Sequence, residues 1–430
     1  MNRIRKARIA WITGLMTAMI LCFGADVQGA IIGETGTTFS FVVRPGHVLT
    51  SDGDSFLMWG YGLEIGLMQY PGPTLILTED VPVTITLKNM LPIDAGNVSM
   101  IFPGHEVTAT GGETGLLTQE APPDGSTTVT YAFTPGAPGT YLYRSGTRPD
   151  LQVEMGLVGA MIVRPANTPP GGDSGKTYAY NHVDTHYDRE FLYLLTEMDP
   201  RIHRQVESGQ WDQIDTSSFF PTNWFVNGRN FPDLMAENNV PWLPLQPYNC
   251  QPQMHPGEKI LIRYLGAGRD LHPMHYHGND FETIAIDGRM LSSGPGAGPD
   301  LAWKATTIKS VPGQTADLLW TWTGEDLGWD IYGHAPTDPM EPGEYAPNHG
   351  VAFPVILPMR DAVTFGELYS GSPFLGGSGE LPPGHPGLNA AGGYFFMWHS
   401  HTEKELTNYD IFPGGMLTML IIEAYDVVID

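Results

Sequence analysis

Two histidine pairs of the form His-x-His are the residues of this sequence best suited to chemistry. His275 and His277 stand in "HPMHYHGND", and His399 and His401 stand in "WHSHT". Successive side chains of a β-strand point to opposite faces, so each pair would occupy one face of its strand. If the two strands are neighbours, four imidazoles converge, and imidazole is a ligand of copper, zinc, iron and nickel. The spacing predicts a metal site, with a metal-free network of hydrogen-bonded histidines as the alternative.

A fifth histidine, His272, precedes Pro273 and lies three residues before His275. This spacing lets it reach a different position from the His-x-His pair. Asp280 and Glu282 follow the same segment. They are candidates for the hydrogen bonds that orient ligand imidazoles in metal sites.

Short strands and turns must position these residues. Gly (52) and Pro (37) are abundant, and charged residues make up only 16% of the chain. The apolar runs are short and rich in β-branched and aromatic residues, which predicts an all-β fold. Cys250 is the single cysteine beyond the N-terminal segment. We therefore expect no intramolecular disulfide and favour a buried thiol over a reactive one.

The sequence contains an internal duplication, which predicts two similar β-domains. Residues 71–106 and 255–281 each combine Pro-Gly, an alternating strand and a Gly-His or His-Gly ending. Residues 139–165 and 392–424 share an aromatic strand, a polar cluster and an apolar closing strand. The predicted organisation is a signal peptide at 1–30, a first domain at 31–166, a linker at 167–176, and a second domain at 177–430 with an insertion at about 325–391. The Gly/Pro-dense insertion is interpreted as a lid or a subunit contact.

The N-terminal segment has the pattern of a secretory signal peptide. Four basic residues precede an apolar run from Ile9 to Ala25, and small residues follow it. This pattern predicts export to the periplasm or the cell exterior. No other stretch approaches the roughly 18 apolar residues of a membrane span, so none is expected. The formal net charge of -25 argues against a nucleic-acid partner, because phosphate binding needs a basic surface.

The histidine segments resemble two of the four copper motifs of multicopper oxidases. "HPMHYHG" is similar to the third motif and "WHSHTEKE…GGM" to the fourth, while "GLMQYPGPTL" and "FVNGRNFP" resemble other family segments. The resemblance covers Gly33 to Glu423 and fits the two-domain branch. It implies two cupredoxin-like Greek-key β-sandwich domains and a homo-oligomer, by analogy a trimer. It also implies a type 1 copper held by one Cys and two His, and a three-copper cluster held by eight His that reduces dioxygen.

The resemblance assigns roles to five histidines of the second domain. His272 matches a type 1 copper ligand, and His275 matches a type 2 ligand. His277, His399 and His401 match type 3 ligands. These five residues are the predicted metal ligands.

Other ligand positions of the family hold unsuitable residues. Ser400 occupies the type 1 cysteine position and Glu405 that of the second type 1 histidine, while Met416 matches the axial methionine. The four ligand positions of the first domain hold Ile101, Pro103, Arg144 and Gly146. A serine hydroxyl cannot replace a thiolate as copper ligand and electron carrier. A laccase-like oxidase is therefore not expected. Arg144 would either repel a cation or pair with a carboxylate such as Glu405.

Two functions stay open at this point. The first is an exported, oxidoreductase-like or copper-binding protein with one residual metal ion, copper by ancestry and zinc as second choice. The second is a metal-free degenerate oxidase that serves as a structural or partner-binding scaffold outside the cytoplasm. Fold resemblance does not decide between them, because function depends on the site. Whether the chain is an enzyme is likewise left open by the sequence.

Overall fold

The computed structural model describes residues 31–255, 257–277, 280–322, 337, 339–340, 344–345, 350–351, 394–422 and 428–429. The predicted signal peptide lies outside these residues. So does most of the predicted insertion at about 325–391. None of the described helices is long and apolar enough to cross a membrane.

Strands dominate the described chain, as the composition predicts. In chain order they are β1 (Glu34–Thr35), β2 (Thr38–Leu49), β3 (Ser55–Leu63), β4 (Gly72–Thr78), β5 (Val83–Asn89), β6 (Thr108–Gly111), β7 (Glu113–Thr114), β8 (Gln119–Glu120), β9 (Val129–Phe133), β10 (Gly139–Arg144), β11 (Val158–Arg164), β12 (Thr177–Tyr178), β13 (His186–Tyr187), β14 (Arg189–Met198), β15 (Asn223–Val226), β16 (Gln253–Met254), β17 (Lys259–Gly266), β18 (His272–Tyr276), β19 (Phe281–Ile286), β20 (Arg289–Met290), β21 (Trp303–Ala305), β22 (Thr307–Ser310), β23 (Thr315–Thr321), β24 (Glu344–Tyr345), β25 (Gly350–Val351), β26 (Tyr394–Ser400) and β27 (Leu417–Ile422). The α-helices are α1 (Pro149–Gln152) and α2 (Pro200–Glu207). Short 3-10 turns cover Ile93–Ala95, Val183–Thr185, Trp211–Gln213, Asp233–Met235 and Glu403–Leu406.

The larger sheets form two β-sandwiches. The N-terminal sandwich has one sheet in the order β1-β4-β11-β10 and another in the order β3-β2-β5-β9-β6. The C-terminal sandwich has one sheet in the order β15-β14-β17-β23-β19-β20, with β21 paired to β19, and another in the order β16-β27-β26-β18-β22. Each sandwich encloses its own apolar core. The fold is all-β and cupredoxin-like, as the sequence resemblance implies.

Strand β5 shows the alternation that the sequence predicts, but its counterpart β17 does not. In β5, Val83, Ile85 and Leu87 are buried while the residues between them are partly exposed. In β17, every residue after Lys259 is buried. The second face of β17 is covered because it packs against β10 of the N-terminal sandwich. Contact between the sandwiches thus overrides the two-residue period of a strand with one solvated face.

A buried charged network joins the two sandwiches. Arg263 of β17 is fully buried, and its Nε donates to Glu190 Oε2 at 2.8 Å. Its NH1 group donates to Thr140 Oγ1 of β10 at 3.0 Å and lies 3.7 Å from Asp317 Oδ1. Arg164 of β11 also pairs with Glu190. Charges on β14, β17 and β23 are therefore compensated partly by groups of the N-terminal sandwich.

Candidate metal centre

The four histidines of the two His-x-His pairs lie together on adjacent strands. Strands β18 and β26 are antiparallel neighbours, and their register places His275 opposite His399. The ring centroids of His275 and His401 are 4.4 Å apart. Those of His275 and His277 are 5.0 Å apart, and those of His277 and His399 are 5.3 Å apart. We call these four residues the histidine cluster.

Hydrogen bonds hold the two cluster residues that lie just beyond the strand ends. The fully buried indole of Trp398 donates from Nε1 to the carbonyl oxygen of His277 at 3.1 Å. The backbone N–H of His401 donates to the carbonyl oxygen of Pro273 at 2.8 Å. The cluster is thus tied both to the apolar core beneath it and to the neighbouring strand.

Local partners fix the orientation of two cluster rings. His275 Nδ1 lies 2.9 Å from Thr307 Oγ1 on the neighbouring strand β22. His399 Nδ1 lies 2.8 Å from the carbonyl oxygen of Ser400. A carbonyl only accepts, so Nδ1 of His399 carries the hydrogen. In the neutral ring its Nε2 then presents a lone pair, and Nε2 of His277 lies 3.3 Å from it.

The surroundings of two cluster residues, His275 and His399, favour the neutral imidazole. Burial lowers the pKa of His275, and the neighbouring imidazoles of His277, His401 and His399 lower it further, to about 4. The pKa of His399 is also lowered, chiefly by burial. A metal ion binds the neutral form of histidine. Near neutral pH, His275 and His399 are therefore in the form that a metal requires.

The cluster is not a closed set of ligands in this conformation. Among the residues that the structure describes, no group of three or more His, Cys, Asp or Glu side chains could hold a metal ion as it stands. The nitrogen contact that the structure shows between cluster rings is the one between His277 and His399. Thr307 supplies a side-chain hydrogen bond that orients a cluster ring, and the described contacts of His275 and His399 include neither Asp280 nor Glu282.

His272 lies apart from the cluster, in a buried group of its own. Its Nε2 is 2.9 Å from Glu197 Oε2, and its Nδ1 is 3.0 Å from Glu405 Oε2. Ser400 donates its hydroxyl to the same Glu405 oxygen at 2.5 Å. The backbone N–H of Met416 donates to the carbonyl oxygen of Glu405 at 2.8 Å. Thus the four positions matched to a type 1 copper site do converge, but His272 meets carboxylates there.

Glu197 is the residue of this group that sequence reasoning missed. It lies near the end of β14, in the run "FLYLLTEM", and is 3% exposed. Its Oε1 accepts hydrogen bonds from the backbone N–H groups of Arg269 and Asp270. A lone carboxylate in an apolar strand is the signal that was available, because buried carboxylates are almost always paired.

Stability is expected to fall as the pH rises through about 9. Burial disfavours the charged ring of His272, but its contacts with Glu197 and Glu405 outweigh this and raise its pKa to about 9. The unfolded chain has the ordinary value of about 6.5. The charged ring of His272 therefore makes its full contribution to the free energy of unfolding below about pH 6.5. This contribution, about 3 kcal/mol, is lost as the pH rises to about 9. Urea unfolding at pH 6.5 and 9.5 measures this loss, and His272→Gln should lack it.

The corresponding positions of the N-terminal sandwich lack metal ligands. Ile101 and Arg144 face each other in an antiparallel bridge. The side chain of Arg144 donates to the carbonyl oxygen of Ser145 at 3.4 Å, and Glu405 pairs with His272 rather than with Arg144. A Cβ atom added at Gly146 would lie only 2.7 Å from Cγ2 of Ile101. A ligand side chain would not fit there without movement of Ile101.

Cys250 is a buried thiol, as expected. It is 3% exposed and packs in the core of the C-terminal sandwich. Burial raises the pKa of its thiol well above the ordinary value. A protonated thiol is a poor ligand and nucleophile. Cys250 therefore does not replace the missing type 1 cysteine.

This chain is similar to known proteins both in one segment of its sequence and in its fold. Residues 67–168 match the family model for multicopper oxidases. The blue copper oxidase from Nitrosomonas europaea aligns with a TM-score of 0.53 at 16% identity, over 90% of this chain and 86% of that chain. The multicopper oxidase mgLAC aligns with a TM-score of 0.52 at 16% identity, over 92% and 88%. The copper nitrite reductase from Nitrosomonas europaea aligns with a TM-score of 0.51 at 14% identity, over 92% and 96%.

A comparison with curated proteins finds no match to the sequence. Identities as low as those of the solved structures show a common fold and nothing more about activity. The family match, by contrast, comes from the sequence itself. It lies in the N-terminal sandwich, where the ligand positions of the family hold residues that do not bind metal. The chain is thus similar to multicopper oxidases in sequence over residues 67–168 and in fold over most of its length.

Proposed function

We propose that the chain is an exported protein that holds one metal ion on the histidine cluster, His275, His277, His399 and His401. Copper is the first choice because of the family, and zinc is the second. The observation that carries the proposal is the approach of Nε2 of His277 and His399 to 3.3 Å. Two nitrogens bound at 2.0–2.1 Å to a tetrahedral ion lie about 3.3–3.4 Å apart.

The residues around the cluster support this proposal. Thr307 holds the Nδ1 side of His275, and the carbonyl of Ser400 holds the Nδ1 side of His399. Both rings therefore direct Nε2 away from these partners and are available as ligands. His401 is solvent-exposed and the other three rings are half-buried, so the site has access to solvent. Three histidines with one open position is the arrangement of catalytic rather than structural sites.

The chemistry of the site would differ from that of a laccase. A bound copper would supply one-electron or peroxide chemistry, or would be held for delivery. Ser400 stands in the thiolate position and is engaged by Glu405. Position 400 therefore offers no thiolate for electron entry beside the cluster. We also propose, from the family resemblance alone, that the protein forms a homo-oligomer such as a trimer.

A metal-free scaffold is the second candidate function. One observation favours it: the described residues contain no group of three or more ligand side chains that could hold an ion without rearrangement. In this case the cluster would be a metal-free group of imidazoles that contains the hydrogen-bonded pair His277 and His399. The protein would then act through its surface, outside the cytoplasm, on a partner of unknown kind.

Metal content separates the two candidates. The purified protein is loaded with copper or zinc, dialysed and analysed for metal per chain, beside a His399→Ala/His401→Ala variant. We expect about one ion per chain in the parent protein and loss of the ion in the variant. His182→Ala/His186→Ala is the matched control, since these histidines lie elsewhere in the C-terminal part of the chain. A metal content near zero in the parent protein would favour the scaffold.

Removal of the hydroxyl that orients His275 should weaken metal binding. Thr307→Val deletes the group that lies 2.9 Å from His275 Nδ1 while keeping the shape of the side chain. Loss of such an orienting partner typically lowers metal affinity by about 10–100-fold. Competition with a chromophoric chelator measures the affinity. The control is Thr306→Val, whose side chain is exposed on the same segment, and an equal loss in both variants would contradict the role of Thr307.

A further inference from the structure

We infer that the C-terminal sandwich carries a doubly protonated His272 at the positions that match the type 1 copper site of its relatives. The extra proton stands in place of the copper ion. The replacement is a closed, metal-free unit of Glu197, His272, Glu405 and Ser400, which we call the carboxylate–imidazolium unit. It is separate from the histidine cluster and does not depend on metal binding there. Its role is to hold four chain segments together without an ion.

The contacts of His272 indicate which of its ring nitrogens carry a hydrogen. Nε2 is 2.9 Å from a carboxylate oxygen of Glu197, and Nδ1 is 3.0 Å from a carboxylate oxygen of Glu405. The Nε2 contact is a hydrogen bond, whereas Nδ1 lies beside the Glu405 carboxylate without hydrogen-bond alignment. An ionised carboxylate only accepts hydrogen bonds and repels a ring lone pair at 3.0 Å, so both ring nitrogens are expected to carry an N–H group. A ring with N–H on both nitrogens is an imidazolium. It has no lone pair to offer a metal.

The geometry also excludes a site made from the two carboxylates and the ring. The carboxylates contact opposite nitrogens of one imidazole, so their oxygens lie on opposite sides of the ring. No single point can then be near both carboxylates and a ring nitrogen. Glu405 is further engaged by the hydroxyl of Ser400 at 2.5 Å. Glu197 is further engaged by the backbone N–H of Asp270 at 3.0 Å.

The position of the unit explains what it stabilises. Glu197 lies on β14, His272 on β18, Ser400 on β26, and Glu405 in the 3-10 turn after β26. Strands β14 and β18 belong to opposite sheets of the sandwich. His272 and Glu197 are fully inaccessible to solvent as side chains, and Glu405 is nearly so. The unit thus joins the two sheets at the positions that the sequence resemblance matches to a type 1 copper site.

Nitrogen-15 spectroscopy of the histidine rings tests this inference on the full chain at pH 7.5. His272→Gln assigns the signals of His272. Should that variant fail to fold, Ser400→Ala provides the assignment, because it disturbs Glu405 and so moves the Nδ1 signal. We expect two N–H signals of an imidazolium for His272. We also expect no change in them when Zn²⁺ is added in excess, and no blue absorption band when Cu²⁺ is added.

Three results would overturn the inference: a neutral ring for His272, a His272 signal that moves with Zn²⁺, or a blue band with Cu²⁺. The same titration reports on the histidine cluster separately. If Zn²⁺ moves the signals of His275 and His399 but not those of His272, both proposals stand. If it moves none of them while His272 keeps both N–H signals, the metal proposal fails and the present inference stands.

Discussion

Replacing His272 by leucine is expected to lower the free energy of unfolding by about 3–5 kcal/mol. The substitution leaves the carboxylates of Glu197 and Glu405 buried with no positive partner, and an unpaired buried charge is far more costly than the lost contact. Urea unfolding at pH 7, followed by circular dichroism, measures the change. His47→Leu is the matched control, since His47 pairs with Glu207 at the surface, where such a pair is worth at most about 1 kcal/mol.

A triple variant tests whether unpaired charge is the cause. In Glu197→Leu/His272→Met/Glu405→Leu the whole charged group is removed together. Replacing a complete buried ion network by apolar residues is often nearly neutral for stability. We therefore expect the triple variant to recover most of the loss seen with His272→Leu. If it is less stable than the single variant, the cost lies in packing and not in charge.

Arg263→Met is expected to cost a similar amount, about 3–5 kcal/mol, for the same physical reason. Glu190 would keep Arg164 as a partner, but Asp317, which is 1% exposed as a side chain, would lose its nearest cation. The pKa of Glu190 is lowered to about 2, since the attraction of Arg263 and Arg164 outweighs the effect of burial. Loss of Arg263 removes one of the two cations that stabilise the charged carboxylate of Glu190.

Because Arg263 joins the sandwiches, its loss should also change how they unfold. Differential scanning calorimetry is the appropriate measurement. We expect a lower transition temperature, and a transition that broadens or divides as the two sandwiches become less coupled. Lys88→Met is the control, because Lys88 forms a partly exposed pair with Glu64 within the N-terminal sandwich. An unchanged transition in Arg263→Met would contradict the coupling role of the network.

The sequence predicts the class of fold and the approach of the histidines for one reason: both follow from local rules. The alternation of side chains across a strand places His275 and His277 on one face, and four imidazoles converge on the condition that β18 and β26 lie side by side. The register meets this condition, with His275 opposite His399. Resemblance to the family adds the position of His272 relative to Ser400 and Glu405.

Features that depend on long-range packing were not predictable in this way. Glu197 meets His272 across 75 positions of the chain, and nothing local indicates that β14 faces β18 across the core. The burial of both faces of β17 likewise depends on contact with β10. Arg263 appears in the sequence as an ordinary polar residue of an alternating strand. Its role emerges only when Glu190, Asp317 and Thr140 are seen around it.

The ligand positions that no longer hold metal ligands differ physically from those that still hold histidine. Where ligands are gone, the space is closed: Ile101 fills the room beside Gly146, and Glu197 and Glu405 enclose His272. Where histidines remain, the rings are half-buried or exposed and the pKa of His275 stays low. Of the five predicted ligands, the four of the histidine cluster are thus the ones that solvent can reach, while His272 is buried. This contrast supports a single residual metal site.

The most direct test of the proposed site is a crystal structure of the zinc-loaded protein, with an anomalous difference map at the zinc edge. We predict one peak among the Nε2 atoms of at least three of His275, His277, His399 and His401. Bond lengths of about 2.0–2.1 Å are expected there, with no peak beside His272. A map without a peak at the histidine cluster, or with one between Glu197 and Glu405, would contradict the account.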